Sequence, residues 1–372
     1  MLIGSLGIRL IIWMGRTIPL PPSHAFITAL QEVEVTNDAD GPDGFRLKLS
    51  LVRDDPVDFG LVSNGSVAPM TRVVIGVLMG ISPQVLIDGV ITHHQLSPGD
   101  EPGMSTLTVM GKGLTQVLDL EERNESYENQ PDYLIVSRIV GRYARYGLVP
   151  QPTPTSDVPI MLQRIPRQHE TDLDYIERLA AGNGFVFYIE PVAFGVNKAY
   201  WGPEVRAGVP QSALTIHMGA ATNLNSIEFE NDSLAPEEAS GSFVEPITKL
   251  AIPIPSLASL RIPPLATDSV SALRRRLLRD TANENPVRAA AASVAATSRA
   301  PEAVTGTGEI DSARYGKVLR ARRPVGVRGV GRSYDGFYFV RRVTHSIARG
   351  RYTQSFRISR EGTGSLTPAV PT

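Results

Sequence analysis

The chain has no cysteine among its 372 residues, which excludes disulfide bonds, cysteine-ligated zinc, iron–sulfur clusters and thiol catalysis. Long apolar runs are also scarce. The first of them, residues 2–14, is interrupted by Arg9 and two glycines, and it falls short of the ~18–20 residues that a membrane span needs. It also lacks the flanking features of a signal peptide. We therefore expect no membrane span and a chain that is cytosolic when made.

Charged residues make up 20% of the chain and hydrophobic residues 42%, which excludes an intrinsically disordered protein. The length predicts about two or three domains. The 33 glycines and 29 prolines are spread without a period, so we expect many short elements joined by frequent turns.

The net charge of −1 hides an asymmetry between the two parts of the chain. From Arg261 onward there are 20 basic and 8 acidic residues, whereas residues 1–260 hold 17 basic and 30 acidic residues. Such parts attract each other or partners of opposite charge. A charge-neutral stacking subunit, nucleic-acid contact by the basic part, and two independently solvated surfaces are all compatible with this pattern.

Alternation of apolar and polar residues predicts β structure in the first 120 residues. Residues 32–36 and 45–51 alternate strictly, which gives each segment one apolar and one wet face. Residues 73–79 and 85–91 are apolar runs that flank Ser82 and Pro83, and they predict a hairpin. Four to six strands at this spacing indicate a barrel or a sandwich.

Helical spacing follows in the middle of the chain. Residues 132–146 predict a helix that Gly147 caps at its C-terminus. Thr171 caps the start of a second helix, which ends at Gly182 or Gly184. Residues 185–189 predict a strand buried on both faces, and two alternating strands follow at 214–218 and 226–230.

The last third combines helices with a hairpin. Residues 268–279 predict a basic amphipathic helix, and the alanine-rich residues 287–299 predict another. Residues 336–347 and 351–359 flank a short turn and predict a terminal hairpin.

Signatures of catalysis and metal binding fail on inspection. His169 and Glu170 begin a zinc-protease motif, but Leu173 stands where the second histidine would be needed, and no nucleophile elbow or phosphate loop is present. His93 and His94 are neighbours on a strand and point to opposite faces. His345 shares a face with apolar residues and is expected to be half-buried and satisfied. We expect no metal, no cofactor and no enzymatic activity.

Eight arginines are candidates for a protein interface. Three share one face of the helix at 132–146, three form a run in the predicted basic helix, and two lie in the terminal hairpin. A solvated face is the alternative for the first three. The candidates are Arg138, Arg142, Arg145, Arg274, Arg275, Arg276, Arg341 and Arg342.

Three stretches of the sequence resemble the phage late control protein D and VgrG family of baseplate hubs. The first is HETDLDYIERL at residues 169–179, followed by GFVFY at 184–188. The second is DGVI at 88–91 with LTVMGKGL at 107–114. The third is GFYFVRRVTHSI at 336–347 with YTQSFRISREG at 352–362. The stretches occur in the family's order over roughly the whole chain.

This resemblance implies a mainly β fold with added helices (α+β) and two tube-like antiparallel β-barrel domains per chain. Residues 1–120 would form the first barrel, 121–235 helices and the start of the second, and 236–309 an irregular and helical insertion. Residues 310–372 would complete the second barrel, with a flexible tail from about 363.

The function that the resemblance implies is a structural baseplate hub of a contractile tail or contractile injection system. Three chains would form a ring that adapts the hexameric inner tube to the trimeric spike, with open strand edges paired between neighbours. The partners implied are a second and third copy, the inner tube protein, a separate spike protein and other baseplate proteins. Assembly would take place in the bacterial cytoplasm. A spike on a separate polypeptide is expected because the ten residues after Gly362 are too few for a further barrel or a β-helix.

The alternative function is a nucleic-acid- or carbohydrate-binding protein that uses the basic C-terminal third. Residues 274–276 form one short basic run without interleaved aromatic residues, which argues against base readout. We therefore expect no specific nucleic-acid partner.

Overall fold

The computed structural model describes residues 7–16, 18–51, 59–63, 65–100, 104–159, 164–244, 249–254, 259–278, 286–367 and 370. The strands are β1 Ile8–Gly15, β2 Leu30–Asp38, β3 Gly44–Leu51, β4 Arg72–Met79, β5 Ser82–Ser97, β6 Ser105–Gly113, β7 Glu122–Ser126, β8 Leu148–Pro152, β9 Arg167–Thr171, β10 Val186–Ala193, β11 Val196–Gly202, β12 Gln211–Thr215, β13 Leu224–Asn231, β14 Glu237–Val244, β15 Ala251–Ile254, β16 Ala266–Ser269, β17 Arg274–Leu277, β18 Val304–Asp311, β19 Pro324–Arg328, β20 Gly336–Ala348, β21 Arg351–Arg360 and β22 Gly362–Ser365. The helices are α1 His24–Ala29, α2 Gly60–Ser63, α3 Asp132–Gly141, α4 Asp172–Asn183, α5 Pro286–Arg299 and α6 Ser312–Tyr315.

One sheet of twelve strands organises the fold. Its main path runs β1-β4-β5-β6-β3-β2-β20-β21-β18-β13, and β19 joins β20 to β12. The strands on the main path pair antiparallel, and the one parallel pair among the described strands of this sheet is β12 with β19. The N-terminal and C-terminal strands meet where β2 pairs with β20, from Glu32 opposite Ala348 to Asp38 opposite Arg342. The predicted fold class, mainly β with added helices, is confirmed.

Two apolar cores pack against this sheet. The first contains buried residues of β2 and β3 such as Val33 and Leu47, and the other contains Val343 and Ile358 of the terminal hairpin. These residues are the apolar members of the alternating patterns, so the period-two pattern predicted their burial correctly. The predicted hairpins β4–β5 and β20–β21 are both present.

A third core lies under the helices α3 and α4. It includes the fully buried Trp201 and Tyr175. The Thr171 side chain accepts a hydrogen bond from the backbone N–H of Asp174 at 3.2 Å, and Gly184 ends α4 at φ +69°. The predicted caps of α4 are therefore confirmed. The helix predicted over 132–146 is shorter than expected, because α3 ends at Gly141 with Arg142 as its C-cap. Gly147 adopts φ +73° and caps the separate 3₁₀ turn Ala144–Tyr146 instead.

The predicted basic helix at 268–279 is wrong. The structure has β16 and β17 there, and β17 pairs in parallel with β14 from Glu237 opposite Arg274 to Ser240 opposite Leu277. Leu273 and Leu277, which would have shared the apolar side of that helix, are exposed. Hydrogen bonds supplied by β14 outweigh the weak local preference of three consecutive arginines. Arg279 lies outside the described residues.

Two smaller expectations also need correction. The segment after Glu361 is an ordered strand, β22, which pairs antiparallel with β16, and Val370 is buried against Gly326. Strand β10 is half-buried for most of its length rather than buried on both faces. The domain boundaries remain a prediction. In the described part of the chain, no helix combines the length and apolar character that crossing a membrane requires.

Candidate assembly surface

One face of the main sheet is polar from β13 to β6. Side chains of cross-strand partners follow one another on this face, for example Glu228 of β13, Thr307 of β18 and Arg357 of β21. Some of them bond directly, as Arg46 does to Glu34 at 2.6 Å. The charged members of this polar face are Glu32, Glu34, Asp38, Arg46, Lys48, Lys112, Glu228, Glu230, Glu309, Arg342, Arg351 and Arg357. Acidic and basic residues are equally represented, so the face carries charge without a dominant sign.

Strand β1 forms one open edge of the sheet, because β4 is its one ladder partner among the described strands. At its end, the backbone N–H of Met14 donates to the carbonyl of Leu20 at 2.7 Å, away from β4. Backbone groups alternate in direction along an antiparallel strand, so those of Leu10 and Ile12 also face outward. They have no backbone partner among the described residues. We call residues 8–13 the β1 edge.

Strand β13 forms the other end of the main path, and in the described part of the chain it pairs with β18 alone. Just after it, Asp232 donates its backbone N–H to Ala303 at 2.8 Å. By the same alternation, the backbone groups of Ile227 and Phe229 face away from β18. This β13 edge, residues 226–231, carries the exposed Glu228 and Glu230.

The two open edges differ in charge. Arg9 and Arg16 are exposed at and next to the β1 edge, whereas the β13 edge presents two exposed glutamates. Edges with unpaired backbone groups are normally covered, and opposite charges favour one pairing over others. The surface can therefore accept a strand of opposite charge at each end.

Exposed apolar side chains surround the C-terminal end of β1. Two lie on the segment that returns to Met14, and three lie near the β10–β11 turn, where Phe194 packs on Trp13 with ring centroids 4.5 Å apart. This apolar patch consists of Ile18, Leu20, Val192, Phe194 and Val196. Grouped apolar exposure of this kind marks interaction surfaces more often than isolated residues do.

The second half of β5 is a further exposed segment. Residues 92–97 are all exposed, and the one described strand that pairs with them is β6, because β4 ends its pairing at Val90. His93 and His94 lie here, and they face solvent as neighbours on a strand. In the described part of the chain no group of three or more acidic or histidine side chains could hold a metal ion.

Arg341 belongs to a buried ion cluster rather than to the exposed surface. It donates to Glu204 at 2.6 Å and to Glu302 at 3.1 Å, and Arg206 contacts Glu302 at 2.7 Å. Burial alone would raise the pKa of Glu302, but the surrounding guanidinium groups lower it to about 2. We call these side chains the Arg341 cluster: Arg206, Arg261, Arg341, Glu204, Glu302 and Glu361.

Several ion pairs join the acidic part of the chain to the basic part. Arg342 donates its Nε to Asp38 at 2.7 Å, and Arg322 contacts Asp43 at 2.8 Å. Burial lowers the pKa of Arg322, but the neighbouring Asp43 outweighs this and raises it. Acidic residues of the first part and basic residues of the second therefore neutralise each other within the chain at these positions.

The three candidate arginines in and just after α3 also have partners within the chain. Arg142 contacts the buried Asp172 at 3.3 Å, Arg138 lies over the ring of Tyr127, and Arg145 lies over that of Tyr146. The three arginines of β17 are exposed, and their nearest acidic contact joins Arg275 to Glu238 at 4.0 Å. An interface role for the eight arginines remains a prediction, and the structure brings them together in no single site.

His345 is completely buried, not half-buried as expected. Its Nδ1 lies 2.9 Å from the hydroxyl of Tyr352, and its Nε2 has no partner among the described residues. Burial, with a smaller contribution from Arg320, lowers its pKa to about 3. It is therefore a neutral core residue.

The open edges and the Arg341 cluster were not found by sequence reasoning. Which strand lies at an edge depends on pairing between distant segments, and no local pattern encodes it. The only sequence signal for the cluster was the charge asymmetry between the two parts of the chain.

No family model and no curated protein matches the sequence, but solved structures share its fold. A tail protein from Neisseria meningitidis MC58 has a TM-score of 0.62 at 13% identity, over 96% of this chain and 98% of its own. The 43 kDa tail protein of prophage MuSo2 from Shewanella oneidensis has a TM-score of 0.62 at 11% identity, over 95% and 99%. An Escherichia coli component of the type VI secretion system, described as similar to the bacteriophage T4 tail proteins gp27 and gp5, has a TM-score of 0.54 at 14% identity, over 89% and 73%.

The chain therefore has the fold of phage tail proteins and of related type VI secretion proteins. This is the fold that the three sequence stretches predicted through their resemblance to the baseplate hub family.

Proposed function

We propose that this protein is a structural baseplate component of a contractile tail or contractile injection system. In this proposal three copies form a ring that adapts a hexameric inner tube to a trimeric spike. The observation that carries it is the twelve-stranded sheet within a fold shared with tail proteins. The main path of this sheet ends in two strands of opposite charge, each with one edge that no other described strand covers.

Ring closure is the simplest way to cover both open edges. The β1 edge of one copy would pair with the β13 edge of the next, so that Arg9 and Arg16 approach Glu228 and Glu230. A contact between unlike edges generates a closed ring when the rotation closes. The apolar patch beside β1 would be buried in the same contact. Burial of apolar surface would stabilise the contact between copies, whereas ion pairs exposed to solvent add little to its free energy.

The polar face of the main sheet would form the wall of the ring's channel. Its opposite side is occupied by the apolar cores, so only this face is available to water. Its balanced charges suit a channel through which a polymer passes without being held, because a nucleic acid is retained by a surplus of positive charge.

The remaining partners follow from the same role. The inner tube would stack on one side of the ring, and a separate spike protein and other baseplate proteins would bind elsewhere. The particle would be assembled in the bacterial cytoplasm. The role is structural, without catalysis or a cofactor.

A nucleic-acid- or carbohydrate-binding function is the second candidate. The three exposed arginines of β17 favour it. Against it, other arginines of the C-terminal third are neutralised within the chain, as in the Arg341 cluster. A DNA-binding assay titrated with salt distinguishes the two functions, because binding through phosphates weakens steeply as salt increases.

Native mass spectrometry of edge variants tests the ring. The wild type should give three copies per assembly, in solution or in the particle. Reversing Glu228 and Glu230 to arginine should lower the trimer fraction more at low salt than at high salt. Reversing Arg9 and Arg16 to glutamate in the same chain should restore it.

Reversal of Glu121 and Glu122, exposed glutamates at β7, is the matched control. It changes the net charge equally and should leave the trimer intact. A stable monomer inside assembled particles, or edge reversals with no more effect than the control, would contradict the proposal.

A further inference from the structure

A cavity of about 270 Å³ lies where α4 and β9 meet the start of α3, away from the open edges. Four arginines line it, together with an aspartate, a tyrosine and a short apolar wall. The lining residues are Asp132, Arg164, Ile165, Pro166, Arg167, Tyr175, Arg178, Leu179, Gly182 and Arg288.

Two buried polar atoms of the lining have no hydrogen-bond partner among the described residues. The first is the hydroxyl of Tyr175, a residue that is 1% exposed, and the second is Oδ1 of Asp132, which is 3% exposed. The other carboxylate oxygen of Asp132 accepts from Asn183 at 2.8 Å. A buried polar group left unpaired costs about 1–3 kcal/mol, so an unmatched donor and an unmatched acceptor in one cavity point to an occupant that pairs with both.

The charges of the lining residues indicate the sign of the charge that the occupant carries. Arg164 contacts Asp157 at 3.0 Å, and Arg178 contacts Glu170 at 2.8 Å. Arg167 is exposed and has no ion-pair partner in the described part of the chain. The cavity therefore retains a surplus of positive charge, beside a tyrosine hydroxyl that can donate.

We propose that this cavity binds a phosphate group that still carries a proton, either free phosphate or a phosphate monoester. Its unprotonated oxygens would accept from Arg167 and from the hydroxyl of Tyr175. Its P–OH would donate to Oδ1 of Asp132, which can only accept when ionised. A phosphodiester and a sulfate have no such proton near neutral pH, so each would place an oxygen against the carboxylate without a hydrogen bond.

Isothermal titration of the full chain with inorganic phosphate and with sulfate, at pH 7 and constant ionic strength, tests this. Phosphate should bind at least tenfold more tightly than sulfate, since a site built around a hydrogen bond discriminates strongly against a ligand that lacks it. Tyr175→Phe and Arg167→Gln should each weaken phosphate binding about tenfold. Arg145→Gln, which removes an exposed arginine outside the cavity, should change nothing.

Asp132→Asn should reverse the preference, because an amide can donate to sulfate. If the natural source is a monoester, phosphoserine should bind about as free phosphate does at pH 5.5, where most of it keeps a proton because its second pKa is about 6, and more weakly at pH 7. A dinucleotide with one phosphodiester should not bind at either pH. The proposal would be overturned if the wild type bound no phosphate, or if it bound sulfate as tightly as phosphate. Binding of the diester, or phosphate binding that Tyr175→Phe leaves unchanged, would overturn it as well. Trimer formation measured on the same samples separates this result from the assembly proposal.

Discussion

Replacing Glu302 by glutamine should destabilise the protein strongly at neutral pH and less in acid. Glu302 is the carboxylate at the centre of the Arg341 cluster, and its side chain is only 4% exposed. Arg206 and Arg341 contact its two oxygens at 2.7 and 3.1 Å. The amide cannot neutralise these guanidinium groups, so the variant buries positive charge without its main counter-charge.

The size of the expected loss of stability follows from the pKa of Glu302. It falls from 4.5 to about 2 in the folded chain, and at about 1.4 kcal/mol per pKa unit this corresponds to about 3 kcal/mol of unfolding free energy. Because the folded-state pKa is the lower one, this stability is fully present above pH 4.5 and is lost as the pH falls toward 2. The difference between wild type and variant should therefore shrink by about 1 kcal/mol between pH 7 and pH 4.

Urea unfolding followed by tryptophan fluorescence, at pH 7 and at pH 4, measures this difference. Glu238→Gln is the control, because the side chain of Glu238 is 44% exposed and its contact with Arg275 is 4.0 Å long. It should cost less than about 1 kcal/mol at either pH. A cost for Glu302→Gln that is equally small, or that is the same at both pH values, would refute the role given to the cluster.

Two further substitutions test the packing. Gly184→Ala should cost about 1–3 kcal/mol of unfolding free energy, because φ is +69° and the new Cβ would lie 2.9 Å from Cα of Ala295. The control, Gly195→Ala, has a similar φ of +72° but no neighbour within 4 Å, so it should cost only about 1 kcal/mol. Equal losses of stability in urea unfolding would contradict the close contact with α5. The folded pKa of His345 is lowered to about 3, so stability should fall by about 1.4 kcal/mol per pH unit below 6.5. His345→Gln should flatten this slope between pH 6.5 and 5, and an unchanged slope would show that His345 is protonated in the folded chain.

Features set by neighbouring residues could be predicted from the sequence. The cap at Thr171 and the left-handed glycines at 147 and 184 depend on a few adjacent residues. The hairpins β4–β5 and β20–β21 depend on alternation and a short turn. In each case the stabilising contacts lie within one or two elements, so a local pattern carries the information.

Features set by distant partners could not be predicted in this way. Residues 274–277 became a strand because β14 supplies its backbone partners, and residues 362–365 became ordered because β16 does. The burial of Arg341 depends on Glu204 and Glu302, which lie far away in the sequence. Tertiary hydrogen bonds and ion pairs override local propensity at all of these positions.

The charge asymmetry shows that composition alone does not determine whether charged residues pair within the chain or face external partners. An acidic part and a basic part could have meant two surfaces for two external partners. Instead, β2 and β20 join the two parts in one sheet, and Asp38 meets Arg342 at that junction. An arginine that is already neutralised within the chain has little attraction left for a partner. The charges available for assembly are therefore those without such a counterpart. Among the described residues, the oppositely charged side chains at the two ends of the sheet's main path are exposed and form no ion pair within the chain.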